Sequence, residues 1–287
     1  MKRLLPILLA VVLPAAAAAS ERDSSAVAEK PVVRDIYASA FGLFRPNYLT
    51  TGIPLTGPID KTTADVKFQV SVKLDLWRNI AGREGMALSI GYTQRSVWNL
   101  YADSAPFKDN MYIPGIYFNV PFKGGCDFLL TGFEHRSNGR PMHSSPKDGM
   151  SRSVNYLFAE YSHVFPFGLT LQANLRAGLA YYEDDMDQRM FYRYLGYATF
   201  TAGYDSPTKR LYAMASVTPR FSPLGVNATA EFGCRISPPA VGAYVFAQFH
   251  YGFDEALCDC LDDTLAVPYL RLGIVLRPAG FPRSFSL

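Results

Sequence analysis

Cysteine is scarce in this chain. Cys126, Cys234, Cys258 and Cys260 are the only four among 287 residues, too few for a disulfide-stapled scaffold and in a spacing that matches no zinc pattern. Charge is also modest. Lys, Arg, Asp and Glu make up 18% of the chain, with a formal net charge of +3 and no basic cluster, which argues against a nucleic-acid partner. After the first residues no uninterrupted apolar run reaches the ~20 residues that a spanning helix needs. The one apolar run, Leu4–Leu13, follows Lys2 and Arg3 and precedes the small residues Ala15–Ala19. That order reads as a secretory signal peptide over residues 1–19, ending before Ser20. An N-terminal anchor is the alternative, and the run is short for it.

What is abundant is aromatic. The chain holds 18 Tyr and 20 Phe, beside 22 Gly and 20 Pro. An exported, aromatic-rich chain without spanning helices has the composition of a transmembrane barrel, although a secreted β-sandwich would share part of it. Residues 20–45 are polar and lack periodicity, and read as an N-terminal periplasmic segment. From residue 46 to 287 the pattern is one of strands. The clearest is Val66–Leu76, where Val66, Phe68, Val70, Val72, Leu74 and Leu76 alternate with Lys67, Gln69, Ser71, Lys73 and Asp75. Period-two alternation of that length is a strand with one apolar and one polar face, long enough to cross a bilayer when tilted. Similar runs lie at 86–98, 112–122, 127–137, 153–165, 169–182, 194–204, 211–219, 227–235, 242–251 and 265–276, with a weaker one at 47–53. The sum is an all-β fold, a 12-stranded antiparallel transmembrane β-barrel, whose even count closes the sheet and leaves no edge in lipid. Gln94 breaks one apolar face, that of Met86, Leu88, Ile90 and Tyr92. An amide facing lipid needs a partner. Either it sits at a dimer seam, or the register slips there and it faces water.

The block Glu134-His135-Arg136-Ser137-Asn138-Gly139-Arg140 carries the chemistry. His135 and Ser137 are two apart on a strand, so they share a face about 6.6 Å apart, a spacing that suits a general base beside a nucleophile. Leu129, Thr131 and Phe133 lie on the same face, which puts the pair on the lipid-facing wall. A lipid-cutting enzyme gains substrate access from that placement; an enzyme for soluble substrates does not. The next strand carries Asn155 after Ser151-Arg152-Ser153. Hairpin strands are neighbours, so Asn155 can orient the imidazole. On spacing alone a His-X-Ser pair is a weak signal, and most such pairs are incidental. His163 and His250 stand near strand ends with no obvious nucleophile. His143, beside Ser144 and Ser145, is the best decoy. Cys258 and Cys260, beside Asp259, Asp262 and Asp263, read as a loop disulfide or, less simply, a metal site.

This block, followed by Ser151-Arg152-Ser153 and Asn155, resembles the catalytic signature of the outer membrane phospholipase A family. Other segments resemble it in order: Val66-Lys67-Phe68-Gln69-Val70-Ser71, Leu76-Trp77-Arg78, Tyr92-Thr93-Gln94-Arg95-Ser96-Val97-Trp98 and Ser104-Ala105-Pro106-Phe107. The likeness runs from about residue 44 to 276. The resemblance implies a phospholipase A1/A2 of the bacterial outer membrane, hydrolysing acyl esters of phospholipids and lysophospholipids. It implies Ser137 as nucleophile, His135 as base, Asn155 as orienting residue and the Gly139 N–H at the oxyanion. It also implies Ca2+ held by the Arg140 carbonyl, the Ser151 hydroxyl and, from a second subunit, the Ser104 carbonyl, so that the active form is a homodimer with Gln94 at its interface.

The chain departs from the family pattern in three places. The 141–150 loop is longer than expected and adds Asp148. Glu183-Asp184-Asp185 resembles an acidic loop linked to a second calcium mode, although solvation alone explains an acidic loop. A tail, 278–287 with Phe285, runs past the last strand. Fold does not fix function, so a porin or a barrel acyltransferase stands as the rival reading, with a surface adhesin further off. The Ser-His pair on the lipid wall separates the enzyme from the porin.

Overall fold

The computed structural model describes residues 41–122, 125–140, 151–179, 188–221, 224–259 and 266–277. The described residues form thirteen strands in one antiparallel sheet: β1 (Phe41–Leu43), β2 (Asn47–Pro54), β3 (Asp65–Arg78), β4 (Ala87–Trp98), β5 (Phe107–Pro121), β6 (Asp127–Ser137), β7 (Ser153–Val164), β8 (Leu169–Gly178), β9 (Ala198–Asp205), β10 (Leu211–Phe221), β11 (Leu224–Arg235), β12 (Ala243–Tyr251) and β13 (Tyr269–Leu276). From β2 onward each strand pairs with the next in sequence, and β13 pairs with β2. β1 and β2 lie end to end against the same strand, β3. They share one wall position, so the sheet closes as a barrel of twelve staves.

The alternation on β3 explains why the sheet closes this way round. Lys67, Gln69, Ser71, Lys73 and Asp75 are buried in the lumen, whereas Val70 is 49% and Leu76 56% exposed on the outside. The same holds around the wall, where Ile116, Leu157, Leu175, Phe200, Phe232, Leu272 and Ile274 all face outward and exposed. An apolar band that encircles the molecule far exceeds what a protein in water presents. It fits a barrel wall in hydrocarbon, where every strand must be paired.

The lumen is filled. Arg271 holds Asp65 by two hydrogen bonds of 2.9 and 2.7 Å and reaches Glu255 at 2.8 Å; Glu255 also pairs with Lys67. Glu255 comes from the connection after β12, whose Phe253 and Leu257 are buried with it. A helix between β8 and β9, α1 (Gln188–Leu195), inserts Phe191, Tyr192, Tyr194 and Leu195 into the same core.

Two strand readings change at this helix. The strand expected over 194–204 begins at Ala198, and the one expected over 169–182 ends at Gly178. Phe191, Tyr194 and Leu195 recur at three and four, a helical spacing, and they bury their rings in the barrel mouth rather than on its wall. Within the stretch read as an N-terminal segment, Phe41–Leu43 pair with Val72–Leu74, and Arg45 is buried against Glu134. The signal peptide, the 141–150 loop, Glu183–Asp185 and the 278–287 tail lie outside the described residues.

Candidate active site

The β6–β7 hairpin sets the geometry. Glu134 and Arg136 point into the lumen and are buried, so His135 and Ser137 point outward, half-buried. Register pairs His135 with Asn155 and Ser137 with Ser153. Across this pair His135 Nδ1 and Asn155 Oδ1 stand 2.7 Å apart. The amide oxygen can only accept, so Nδ1 carries the proton and Nε2 is left with its lone pair. The backbone of Asn155 is fixed in turn. Its carbonyl accepts the Leu179 N–H at 2.8 Å and the Tyr192 hydroxyl from α1.

On the other side of the dyad lies β5. Register sets Tyr112 opposite Ser137, and the next pairing is Gly115 with Glu134. Pro114 therefore falls opposite His135, and its missing N–H interrupts the ladder there. Tyr92 on β4 faces Pro114, and Gln94 faces Tyr112. Two outward rows thus cross the wall at neighbouring levels: Tyr92, Pro114, His135, Asn155, and Gln94, Tyr112, Ser137, Ser153. Below them runs an apolar groove of about 480 Å³ on the outer wall, lined by Phe41, Val72, Leu74, Ile90, Ile116 and Phe133, among others, and ending at His135.

Just past Ser137 the chain turns. Asn138 is buried, and its Oδ1 accepts the Arg152 N–H at 2.9 Å and the Arg140 N–H at 3.5 Å. Gly139 has φ +64°, and a Cβ there would meet Tyr112 Cε2 at 2.7 Å. Glycine is required by both the backbone and the ring. Arg140 and Ser151 follow on the two sides of the hairpin mouth, both half-buried. Ser104 lies apart, exposed on the connection between β4 and β5, where it and Ala105 both have positive φ, 63° and 40°. Two adjacent non-glycine residues in that region cost of order 1–3 kcal/mol each, a pattern that concentrates at functional sites.

The hairpin thus brings together His135, Asn155, Ser137 and Gly139, with Arg140 and Ser151 at its mouth. It does not bring Ser104 to them within one chain. Gln94 sits on the outer wall, its Oε1 3.2 Å from the Tyr92 hydroxyl and its Nε2 3.3 Å from Ser96 Oγ. Tyr112, Pro114 and Tyr192 were not legible as site residues, because only the register and the helix bring them there. The remaining histidines have other partners. His163 meets Asp127 at 2.7 Å and His250 meets Thr229 at 3.0 Å, and His143 lies outside the described residues. Cys234 and Cys258 are free thiols; Cys260, the expected partner of Cys258, lies outside the described residues. Burial, then the Asp259 and Asp109 carboxylates, push the Cys258 thiol far up, which keeps it protonated and a poor metal ligand. Among the described residues no three His, Cys, Asp or Glu side chains gather as a metal cluster.

A family model described as Phospholipase A1 matches residues 50–267. A phospholipase A1 of Proteus vulgaris is 30% identical over 203 residues, covering 68% of this chain and 64% of that protein. The chain thus spans under two thirds of that relative's length. Among solved structures, outer membrane phospholipase A from Escherichia coli superposes with a TM-score of 0.68 at 21% identity, over 84% of this chain and all of that one. The calcium-bound dimer of the Salmonella typhi outer membrane phospholipase gives 0.68 at 20%, over 86% and 97%. At that identity the likeness bears on the fold.

Proposed function

The chain belongs to the phospholipase A1 family, and on that premise we propose that it is a calcium-dependent outer-membrane hydrolase, active as a homodimer. Its substrates in this reading are the acyl esters of phospholipids and lysophospholipids. The observation that carries the reading is the 2.7 Å contact between His135 and Asn155 on the outer wall, at the end of an apolar groove. A base that faces hydrocarbon has a lipid ester within reach and little else to act on.

In this mechanism His135 Nε2 takes the proton of Ser137 as its Oγ attacks the ester carbonyl. The tetrahedral intermediate collapses, the C–O bond to the glycerol oxygen breaks, and the imidazolium returns its proton to that oxygen. His135 then deprotonates a water, which attacks the acyl-Ser137 carbonyl; the acyl–Oγ bond breaks, the imidazolium returns its proton to Ser137 Oγ, and the fatty acid leaves. Asn155 holds the ring in the needed tautomer throughout. Being neutral, it stabilises the imidazolium less than a carboxylate would. The Gly139 N–H donates to the oxyanion, the kind of contact whose removal typically costs ~10²–10³ in rate.

Calcium would be held by the Arg140 carbonyl, the Ser151 hydroxyl and the Ser104 carbonyl of the partner subunit. The donor chemistry suits it, since all three are oxygens and a hard cation completes its shell with water. The Asn138 side chain, which bonds the N–H groups of both Arg140 and Arg152, ties the two sides of the mouth together as such a site requires. When bound, calcium supplies positive charge beside the ester oxygen. Because this ligand set takes Ser104 from the partner subunit, the reading needs the dimer. Reaction with a fluorophosphonate probe followed by peptide mass spectrometry tests the nucleophile. The adduct is expected on Ser137 and absent in Ser137→Ala; an adduct on another serine of the folded protein would refute the assignment.

A further inference from the structure

The guanidinium of Arg140 is turned away from the groove, back toward β5. Its Nη2 donates to the Lys108 carbonyl, and its Nε is 3.6 Å from Asp109 Oδ1. The Asp109 side chain is only 2% exposed. Its other oxygen accepts the backbone N–H of Cys258 at 2.9 Å, in the helical turn Leu257–Asp259 of the connection after β12. Lys108 then reaches Asp259 at 2.8 Å. One buried carboxylate therefore joins three segments remote in sequence: the start of β5, the turn after Ser137 and the connection that fills the lumen.

Nothing in the ester chemistry uses the Arg140 side chain, yet it is the better-anchored end of the residue. A carbonyl is aimed in part by where its own side chain is held, and this guanidinium is held by a hydrogen bond to the Lys108 carbonyl and a 3.6 Å ion pair with Asp109. We propose that Asp109 is a positioning residue for the calcium site: it holds Arg140 so that its carbonyl, and with it the Gly139 N–H, face the reacting ester. This rests on the calcium site of the preceding reading.

Calcium titration calorimetry on folded, detergent-solubilised protein under dimer-favouring conditions tests the idea. Folding is checked by heat-modifiable gel mobility, and Ser137 by fluorophosphonate labelling. Asp109→Asn keeps an acceptor for the Cys258 N–H but removes the charge that holds Arg140. It is expected to weaken calcium binding about tenfold or more, the usual effect of losing a partner that orients a ligand. Arg140→Gln is expected to do the same while leaving the carbonyl ligand present. Lys108→Ala removes the ion pair to Asp259 but keeps the carbonyl that Arg140 uses, and is expected to stay within about twofold of wild type. Unchanged affinity in folded Asp109→Asn would overturn the proposal, and so would an equal loss in Lys108→Ala. Wild-type protein that labels at Ser137 yet binds no calcium would overturn it too, together with the calcium part of the reading, while leaving the nucleophile standing.

Discussion

At His135 the imidazole has one nitrogen committed to Asn155 at 2.7 Å, and in the proposed mechanism the other serves Ser137. Losing a neutral hydrogen bond of that kind removes about 0.5–1.5 kcal/mol, so Asn155→Ala should lower kcat by about two- to tenfold without abolishing it, measured as fatty acid release at saturating lipid. Gly139→Ala should be more severe. It forces a Cβ to 2.7 Å from the Tyr112 ring at φ +64° and shifts the oxyanion N–H, so fatty acid release should fall at least ~10²-fold while the folded barrel persists on gels. His135, Ser137 and Asn155 were legible in the sequence because strand periodicity fixes which side chains share a face and hairpins pair neighbours. Tyr112 and Asp109 were not. Their roles depend on the β5–β6 register and on the Cys258 backbone, neither of which leaves a local pattern.

The elements that carry the site are held from inside the barrel. On β6, Glu134 immediately precedes His135 and points into the lumen, where it pairs with Arg45, accepts the Tyr117 hydroxyl at 3.1 Å and the Tyr156 hydroxyl at 2.5 Å, and stands 3.6 Å from Arg136. Removing it strands Arg45 in a buried place, which typically costs about 3–5 kcal/mol. Glu134→Ala should therefore lower the denaturant midpoint clearly, whereas Glu134→Gln, which keeps one acceptor oxygen and offers the other hydroxyl a donor instead, should lower it less. At this scale the strands were readable and α1 was not. Period-two alternation is clean where one face meets lipid and the other a polar lumen. The residues of α1 meet neither, because Phe191, Tyr194 and Leu195 insert into the barrel mouth, and a short apolar run there mimics a strand.

Across the whole molecule, the packed lumen separates this barrel from a channel. The Lys67–Glu255–Arg271–Asp65 network and the rings of Phe253 and α1 occupy the space a pore would need. Protein reconstituted in planar bilayers should therefore give no stable porin-like conductance, and well-resolved open steps would contradict it. In the proposed dimer Gln94 stands at the seam. Its contacts within the chain are long, 3.2 and 3.3 Å, and an amide has further donors and acceptors to offer a second copy. Gln94→Ala should weaken dimerisation by about 1–2 kcal/mol, some tenfold, measured by sedimentation equilibrium in detergent.

The most direct test of the account is fatty acid release from mixed phospholipid–detergent micelles by folded wild type and Ser137→Ala, each with calcium and with a chelator. The account predicts release only by wild type with calcium. Equal release by Ser137→Ala, or none from folded, dimeric wild type with calcium, would contradict it.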